Sequence, residues 1–264
     1  MIESYYETKL GKLYHGDCLD IMKDIPDKSI DMILCDLPYG TTSCSWDVII
    51  PFDKMWEQYE RIVKDKSPIV LTASQPFTSL LVHSRLDFFK HEWIWQKSAG
   101  SNFAALKYQP MKEHESVLVF CKNSPNYFPI MEKRKGSGAS RVKYSQKTSK
   151  RGEVYGSSEY TGWEGGYYDA DSRYPSSIQF FNNREITRGL HPTQKPVDLF
   201  SYLIKTYTKE GDIILDNCAG SGTTGVSAET LKRRYILIEK EDKYCQIIKD
   251  RISETRREML TFGE

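Results

Sequence analysis

The sequence holds no CxxC pair, no HExxH and no apolar run near the ~20 residues that a membrane-spanning helix needs. Its six cysteines, Cys18, Cys35, Cys44, Cys121, Cys218 and Cys245, are scattered. That scatter argues against a zinc site or a disulfide framework and for reduced thiols. The five histidines show no ligand spacing either, so no metal is expected. Met1-Ile2-Glu3-Ser4-Tyr5-Tyr6 lacks the basic and apolar regions of a signal peptide. These absences point to a cytoplasmic protein with no membrane partner. Charge imbalance is missing too. The formal net charge is +1, so contact with a polyanion has to rest on a local patch. With 28% charged and 12% aromatic residues, the chain reads as an ordinary folded globule. Its 264 residues suffice for one large α/β domain, or a core plus an insertion.

What is present begins with Met32 to Cys35, a short apolar run that fits a buried strand. It stops in Asp36-Leu37-Pro38-Tyr39-Gly40. A strand ending in a carboxylate and a rigid turn puts polar chemistry at the sheet edge, where open α/β sheets bind ligands. Asp36 offers acceptor oxygens, Pro38 a carbonyl, and Tyr39 a flat face for stacking. Two acceptors beside a ring suit the exocyclic amino group of a nucleobase. The same residues also fit a strand and turn with Asp36 as a cap.

Around this run, strands are expected at Lys12 to His15, Pro68 to Thr72, Phe89 to Gln96 and Ser116 to Cys121. The last two suggest the antiparallel edge pair of a mixed sheet. Helices are expected at Cys18 to Lys23, Phe52 to Val63 and Phe77 to Leu86. Thr41 to Asp47 reads as a loop. From about Asn123 to Arg188 both periodicities fade. Between Met131 and Arg151 the bases Lys133, Arg134, Lys135, Arg141, Lys143, Lys147, Lys150 and Arg151 face one acid, Glu132. Tyr144, Tyr155, Tyr160, Trp163, Tyr167, Tyr168 and Tyr174 lie among or near them. Bases neutralise phosphates and aromatic faces stack on unpaired bases, so this segment is read as the nucleic-acid contact. A solvated basic loop without a partner has the same composition.

Order returns with His191-Pro192-Thr193-Gln194-Lys195-Pro196 and a helix over Val197 to Tyr207. Asp212 to Leu215 is a strand ending in Asp216, followed by Asn217-Cys218-Ala219-Gly220-Ser221-Gly222-Thr223-Thr224-Gly225. A helix over Val226 to Lys232, a strand over Tyr235 to Ile238 ending in Glu239, and a helix over Lys243 to Ile252 follow, after which the tail frays. Strand, glycine loop, helix, strand and acid make a nucleoside-cofactor fingerprint. Gly220 to Gly225 also matches GxGxxG, so an NAD-linked oxidoreductase is a competing reading. Asp216 argues against it, because a carboxylate there repels a pyrophosphate and attracts an ammonium. S-adenosylmethionine carries an ammonium, a sulfonium and a ribose diol, and no phosphate. Glu239 is placed to accept from the ribose.

Asp36-Leu37-Pro38-Tyr39 resembles the Asp-Pro-Pro-Tyr motif of amino-group DNA methyltransferases, and Asp216 to Thr224 resembles their S-adenosylmethionine motif. Catalytic motif first, variable segment, then cofactor motif is similar to the β-class order. His191 to Pro196 resembles the additional cofactor motif, Gly16-Asp17 the motif whose acid contacts the cofactor adenine, and Glu115 to Lys122 the late strand near the target base. The departures are Leu37 for the first proline, and Asn217-Cys218-Ala219 where Pro-Phe is common. The resemblance implies a Rossmann-like α/β methyltransferase fold, with a mixed, mostly parallel sheet, helices on both faces and a circularly permuted motif order. It implies a catalytic half at 1–122, a target-recognition insertion at 123–188 and a cofactor half at 189–264. Catalysis falls to Asp36, Pro38 and Tyr39. The cofactor falls to Asp17, Asp36, His191, Thr193, Lys195, Pro196, Asp216, Ala219, Gly220, Ser221, Gly222, Thr223, Thr224 and Glu239.

The implied reaction is methyl transfer from S-adenosylmethionine to a flipped base in double-stranded DNA, stacked on Tyr39. A leading Asp goes with adenine N6 in the family and a leading Ser with cytosine N4, so adenine is favoured. An RNA or protein methyltransferase and a non-catalytic DNA-binding subunit share these features. A homodimer, and a cognate restriction endonuclease acting without direct contact, are partners that the resemblance admits. No repeat or heptad marks a dimer interface.

Overall fold

The computed structural model describes residues 3–134, 172–183 and 194–262. Within them the strands are β1 (Tyr6–Glu7), β2 (Gly11–His15), β3 (Met32–Asp36), β4 (Ile69–Ala73), β5 (Phe89–Ser101), β6 (Lys112–Phe120), β7 (Glu132–Lys133), β8 (Ser172–Arg173), β9 (Ile178–Phe181), β10 (Ile213–Asp216) and β11 (Arg234–Glu239). The helices are α1 (Cys18–Met22), α2 (Phe52–Ile62), α3 (Phe77–Ser84), α4 (Val197–Tyr207), α5 (Thr223–Thr230) and α6 (Asp242–Phe262).

Among the described residues, nine strands form one sheet in the order β1-β2-β11-β10-β3-β4-β6-β5-β9. From β2 to β4 neighbouring strands run parallel. β6 is antiparallel to both β4 and β5. Side chains alternate between the two faces. Ile33, Cys35, Leu71, Leu215 and Ile238 pack with α1, α2 and α3 on one face. Leu13, Met32, Leu34, Val70, Ile214 and Leu237 pack with α4, α5 and α6 on the other. In α2 the buried Met55, Trp56, Tyr59 and Ile62 recur at helical spacing. In α4 Leu199, Phe200, Leu203, Ile204 and Tyr207 do the same. Each fully buried aliphatic side chain of this kind contributes about 1.5–3 kcal/mol. The fold is therefore the expected α/β architecture: a mixed, mostly parallel sheet with helices on both faces.

Three expectations change. β5 and β6 do pair antiparallel, but β9 adds parallel to β5 outside them, so they are not the sheet edge. β9 lies inside the span that reads as an insertion. Its outward Ile178 and Phe180 are 54% and 61% exposed, so it lacks the apolar-in, polar-out alternation that marks a strand. The last helix does not fray after Ile252; α6 runs to Phe262. No Gly or Pro interrupts it before Gly263. The Thr255 and Thr261 hydroxyls donate to carbonyls four residues back, both at 2.9 Å.

The chain divides into two compact units, Met1–Phe128 with Ser177–Glu264, and Pro129–Ser176. In the second, β7 pairs antiparallel with β8. There Arg173 donates to Glu132 at 2.7 Å, so the only acid of the basic stretch is already paired. Lys135, Arg141, Lys143, Lys147, Lys150 and Arg151 lie outside the described residues, as do His191 and Thr193. No described helix is long and apolar enough to cross a membrane.

Candidate active site

β3 and β10 lie side by side and parallel, with Leu215 opposite Ile33. From this pair the sheet grows in opposite directions, through α2 to β4 and through α5 to β11. Such a switch point opens a crevice at the carboxyl ends of the strands. A cavity of about 760 Å³ lies there, with Asp36, Pro38 and Tyr39 on one side and Asp17, Asp216 and Glu239 on the other. That volume falls within the ~300–1,000 Å³ range of small-molecule sites.

On the glycine-loop side, Asp216 is 2% exposed. Its Oδ2 accepts from Thr224 Oγ1 at 2.5 Å and its Oδ1 from the Cys218 N–H at 3.1 Å. Burial pushes its carboxyl up to about 7 against these hydrogen bonds. Asp216 thus braces the loop it introduces. Glu239 does likewise across the crevice. It accepts from the Gly220 N–H at 2.7 Å and the Glu241 N–H at 2.9 Å. Gly222 has φ +80, and a Cβ there meets Ile248 Cγ1 at 2.9 Å. Only glycine combines that backbone with that approach. Ser221 is held by Arg251, which donates to its carbonyl at 2.5 Å. Thr223 Oγ1 donates to the Lys195 carbonyl at 3.2 Å, tying the loop to the segment before α4, whose N-cap is Pro196. Ala219 is nearly buried, and its N–H donates to Ile238. Asp17 caps α1 through the Leu19 N–H at 2.9 Å and lines the cavity near Lys240.

The donor set fits S-adenosylmethionine. Asp17, Asp216, Glu239 and Glu241 line this half, suited to an ammonium, a sulfonium and ribose hydroxyls. Asp216 and Glu239 already accept backbone or hydroxyl donors, so their first task is holding the loop in shape.

On the other side, Asp36 Oδ1 accepts from Tyr39 Oη at 2.8 Å and also from Thr72 Oγ1. Tyr39 Oη lies 3.2 Å from Thr72 Oγ1 as well. Strand register makes this possible, since Thr72 sits directly opposite Asp36. One face of Tyr39 stacks on Phe77, with centroids 5.1 Å apart and planes at 24°. The Lys195 ammonium lies 5.5 Å from the ring centroid. Burial and the Asp36 charge hold the Tyr39 phenol well above its usual value, so it stays a donor. Behind the turn, Asp47 accepts from the N–H groups of Gly40, Thr41 and Thr42 at 2.9, 2.9 and 2.7 Å. That fixes the loop beside the cavity.

Lys195 reads from the sequence as a cofactor residue. The structure places its Nζ 2.6 Å from Asp36 Oδ2, and 3.5 Å from Glu115 Oε2. Glu115 Oε1 in turn takes the Lys97 ammonium. Burial acts to lower the Lys195 pKa, but the Asp36 and Glu115 charges outweigh it and raise it. Burial acts to raise Glu115, but Lys195 and Lys97 outweigh it and lower it. Both groups are ionised at neutral pH. Sequence reasoning did not single out Thr72, Lys97 or Asp47, and it took Glu115 only as part of a strand. The available signals were a hydroxyl closing the apolar run Ile69–Leu71 and an acid just before Ser116–Cys121.

A switch-point crevice with a braced glycine loop on one strand and an acceptor carboxylate on the next defines an α/β methyltransferase site. The sequence pattern of the N6/N4 family, described as DNA methylase, matches residues 30–250, and the chain belongs to that family. It is a DNA methyltransferase whose methyl donor is S-adenosylmethionine. It is 28% identical over 259 residues to type II methyltransferase M2.MboI of Moraxella bovis, covering 96% of this chain and 92% of that one. It is 26% identical to DNA adenine methyltransferase YhdJ of Escherichia coli over 89% of this chain and 80% of that one. Its fold matches the cytosine-N4-specific PvuII DNA methyltransferase with a TM-score of 0.68 at 16% identity, covering 98% and 96% of the two chains. It also matches M1.HpyAVI in complex with S-adenosylmethionine with a TM-score of 0.62 at 21% identity, covering 92% and 99%.

Proposed function

We propose that this enzyme methylates the N6 amino group of adenine at a specific site in duplex DNA, in the cytoplasm. The observation that carries the reading is the Asp36 carboxylate, fixed through Oδ1, paired through Oδ2 with Lys195, and lining the cavity shared with the glycine loop. Bound S-adenosylmethionine supplies an electrophilic methyl. Asp36 and the Pro38 carbonyl accept from the two N–H groups of an extruded adenine. They draw the nitrogen lone pair out of conjugation and aim it at the methyl, so positioning accounts for much of the rate. As the nitrogen takes the methyl it becomes cationic. Asp36 stabilises that charge and takes the proton or passes it to water. Tyr39 fixes Asp36 through its hydroxyl and offers the base the ring face not covered by Phe77.

In this reading Asp17, Asp216, Ala219 to Thr224, Glu239 and the His191–Pro196 segment hold the cofactor. Lys133, Arg134 and the bases through Arg151 neutralise DNA phosphates. A leading Asp at position 36 and a relative named as an adenine methyltransferase support adenine.

The test is transfer from tritiated S-adenosylmethionine to unmethylated duplex DNA, with nucleoside analysis, for wild type beside Asp36→Ala. N6-methyladenine from wild type alone is the expected product. N4-methylcytosine would retain the site chemistry and overturn the choice of base. No DNA product from a chain that binds the cofactor would overturn the DNA reading.

A further inference from the structure

Asp36 has one oxygen committed and one contested. Oδ1 takes the Thr72 and Tyr39 hydroxyls. Oδ2 is the oxygen left for a substrate amine, and Lys195 Nζ holds it at 2.6 Å. An amine donor and an ammonium donor meet at that oxygen, and the ammonium also offsets the carboxylate charge. Oδ1 shows that one carboxylate oxygen can take two donors, so the amine can join Lys195 on Oδ2; drawing Lys195 off Oδ2 would leave the amine the full carboxylate charge.

Lys195 has one short route. Lys195 is 6% exposed, so leaving its partner for nothing would strand a buried charge. Glu115 Oε2 is 3.5 Å away, buried, and accepts no hydrogen bond. A shift of about 0.7 Å would bring the ammonium to the ~2.8 Å of a charge-assisted bond there and lengthen its contact with Oδ2 to at most ~3.3 Å. Lys97 occupies the other Glu115 oxygen, and Lys97, Lys112 and Lys195 together keep Glu115 ionised. A charged Glu115 oxygen within ion-pair range of the ammonium, but taking no hydrogen bond from it, is a second berth.

We propose that the Lys195 ammonium shifts between two carboxylates, nearer Asp36 at rest and nearer Glu115 when the target amine enters, and that Glu115 is the positioning residue for the exchange. The exchange makes and breaks only ion pairs, and Lys195 keeps its three protons. It rests on the amino-methylation reading above and adds to it a reason why the Asp36 charge is offset until a base arrives. Facing Lys195 are Asp36 on β3, Tyr39 on the turn, Glu115 on β6, Lys97 on β5 and Lys112 on β6.

The test starts with Glu115→Gln. On duplex DNA its kcat is expected to fall by about tenfold or more, with cofactor Kd within about twofold of wild type. Glu115→Asp keeps a carboxylate and is expected to recover most of the loss. In a Lys195→Met background the same Glu115→Gln change is expected to cost less than about twofold, because no ammonium is left to move. Equal loss in both backgrounds, or full activity of Glu115→Gln, overturns the proposal. A second arm needs no DNA. In Asp36→Asn the Lys195 ammonium is expected on Glu115. Carbon-13 lysine NMR should then show its pKa falling by about one unit or more when Glu115→Gln is added. No difference between Asp36→Asn and the double variant overturns the exchange. Absence of methyl transfer by wild type would instead overturn the functional reading.

Discussion

Thr224 Oγ1, in the first turn of α5, donates at 2.5 Å to Oδ2 of Asp216, the last residue of β10. The bond ties helix to strand across the glycine loop and supplies one of the few donors that a carboxylate at 2% exposure can find. Burial still dominates, and the carboxyl sits at about 7. A folded-state pKa raised above the unfolded ~3.9 means that the charged form is disfavoured in the fold. The Asp216 contribution is full below pH ~4 and is lost as pH rises to about 7. The swing is on the order of 4 kcal/mol. Asp216→Asn removes that titration. Urea unfolding should show the variant gaining on wild type between about pH 4 and about pH 8. A constant gap between the two proteins across the range would show that Asp216 does not titrate there.

The Tyr39 side chain has two separable tasks. Its hydroxyl donates to Asp36 at 2.8 Å, and its ring stacks on Phe77 at 5.1 Å. A hydrogen bond to a charged group contributes about 1.5–3 kcal/mol. Thr72 remains on the same oxygen in Tyr39→Phe, so the low end applies, about tenfold in kcat. Cofactor affinity should stay near wild type, with the melting temperature lower by a few degrees. Tyr39→Ala also loses a ring contact of about 0.5–1.5 kcal/mol and should melt lower still. Wild-type kcat in Tyr39→Phe would remove the hydroxyl from the mechanism.

Asp47 organises the loop after the catalytic turn by accepting from Gly40, Thr41 and Thr42. Burial acts to raise its pKa, but these hydrogen bonds outweigh it and the carboxyl is held below its usual value. A depressed carboxylate contributes stability above its unfolded pKa of ~3.9 and loses it as pH falls through the folded value. Asp47→Asn is expected to cost about 1–2 kcal/mol at pH 7, since water reaches part of this loop. The gap to wild type should close as pH drops below the unfolded value of ~3.9 and through the lower folded one, read from urea midpoints. A gap that persists at acid pH would mean that the loss is packing and not charge.

The strand ends were legible because each is an apolar run stopped by an acid: Met32–Cys35 by Asp36, Ile213–Leu215 by Asp216, Tyr235–Ile238 by Glu239. Their meeting at one crevice followed from motif order and from the parallel neighbours β3 and β10. The Asp36, Lys195, Glu115 and Lys97 network was not legible. It depends on which residues sit opposite one another, Thr72 with Asp36 and Trp95 with Glu115, and register leaves no local mark in sequence. β9 escaped for a related reason: its alternation is masked by outward Ile178 and Phe180.

Gly222 carries the last prediction. Its φ of +80 costs a residue with a Cβ about 1–2 kcal/mol. A methyl there also meets Ile248 Cγ1 at 2.9 Å and Cγ2 at 3.0 Å, on a helix that packs the core face and has little room to withdraw. The backbone has two ways to respond: stay in place and carry the strain, or flatten the turn and move Ser221 and Thr223. Ser221 is pinned by Arg251 at 2.5 Å and Thr223 by the Lys195 carbonyl at 3.2 Å, so flattening disturbs both. Gly222→Ala is therefore expected to melt lower and to bind S-adenosylmethionine about tenfold or more weakly, roughly 1.4 kcal/mol. Isothermal titration at a temperature where both proteins are folded separates the two effects. Unchanged affinity in a destabilised variant would place the loop backbone outside the cofactor contact.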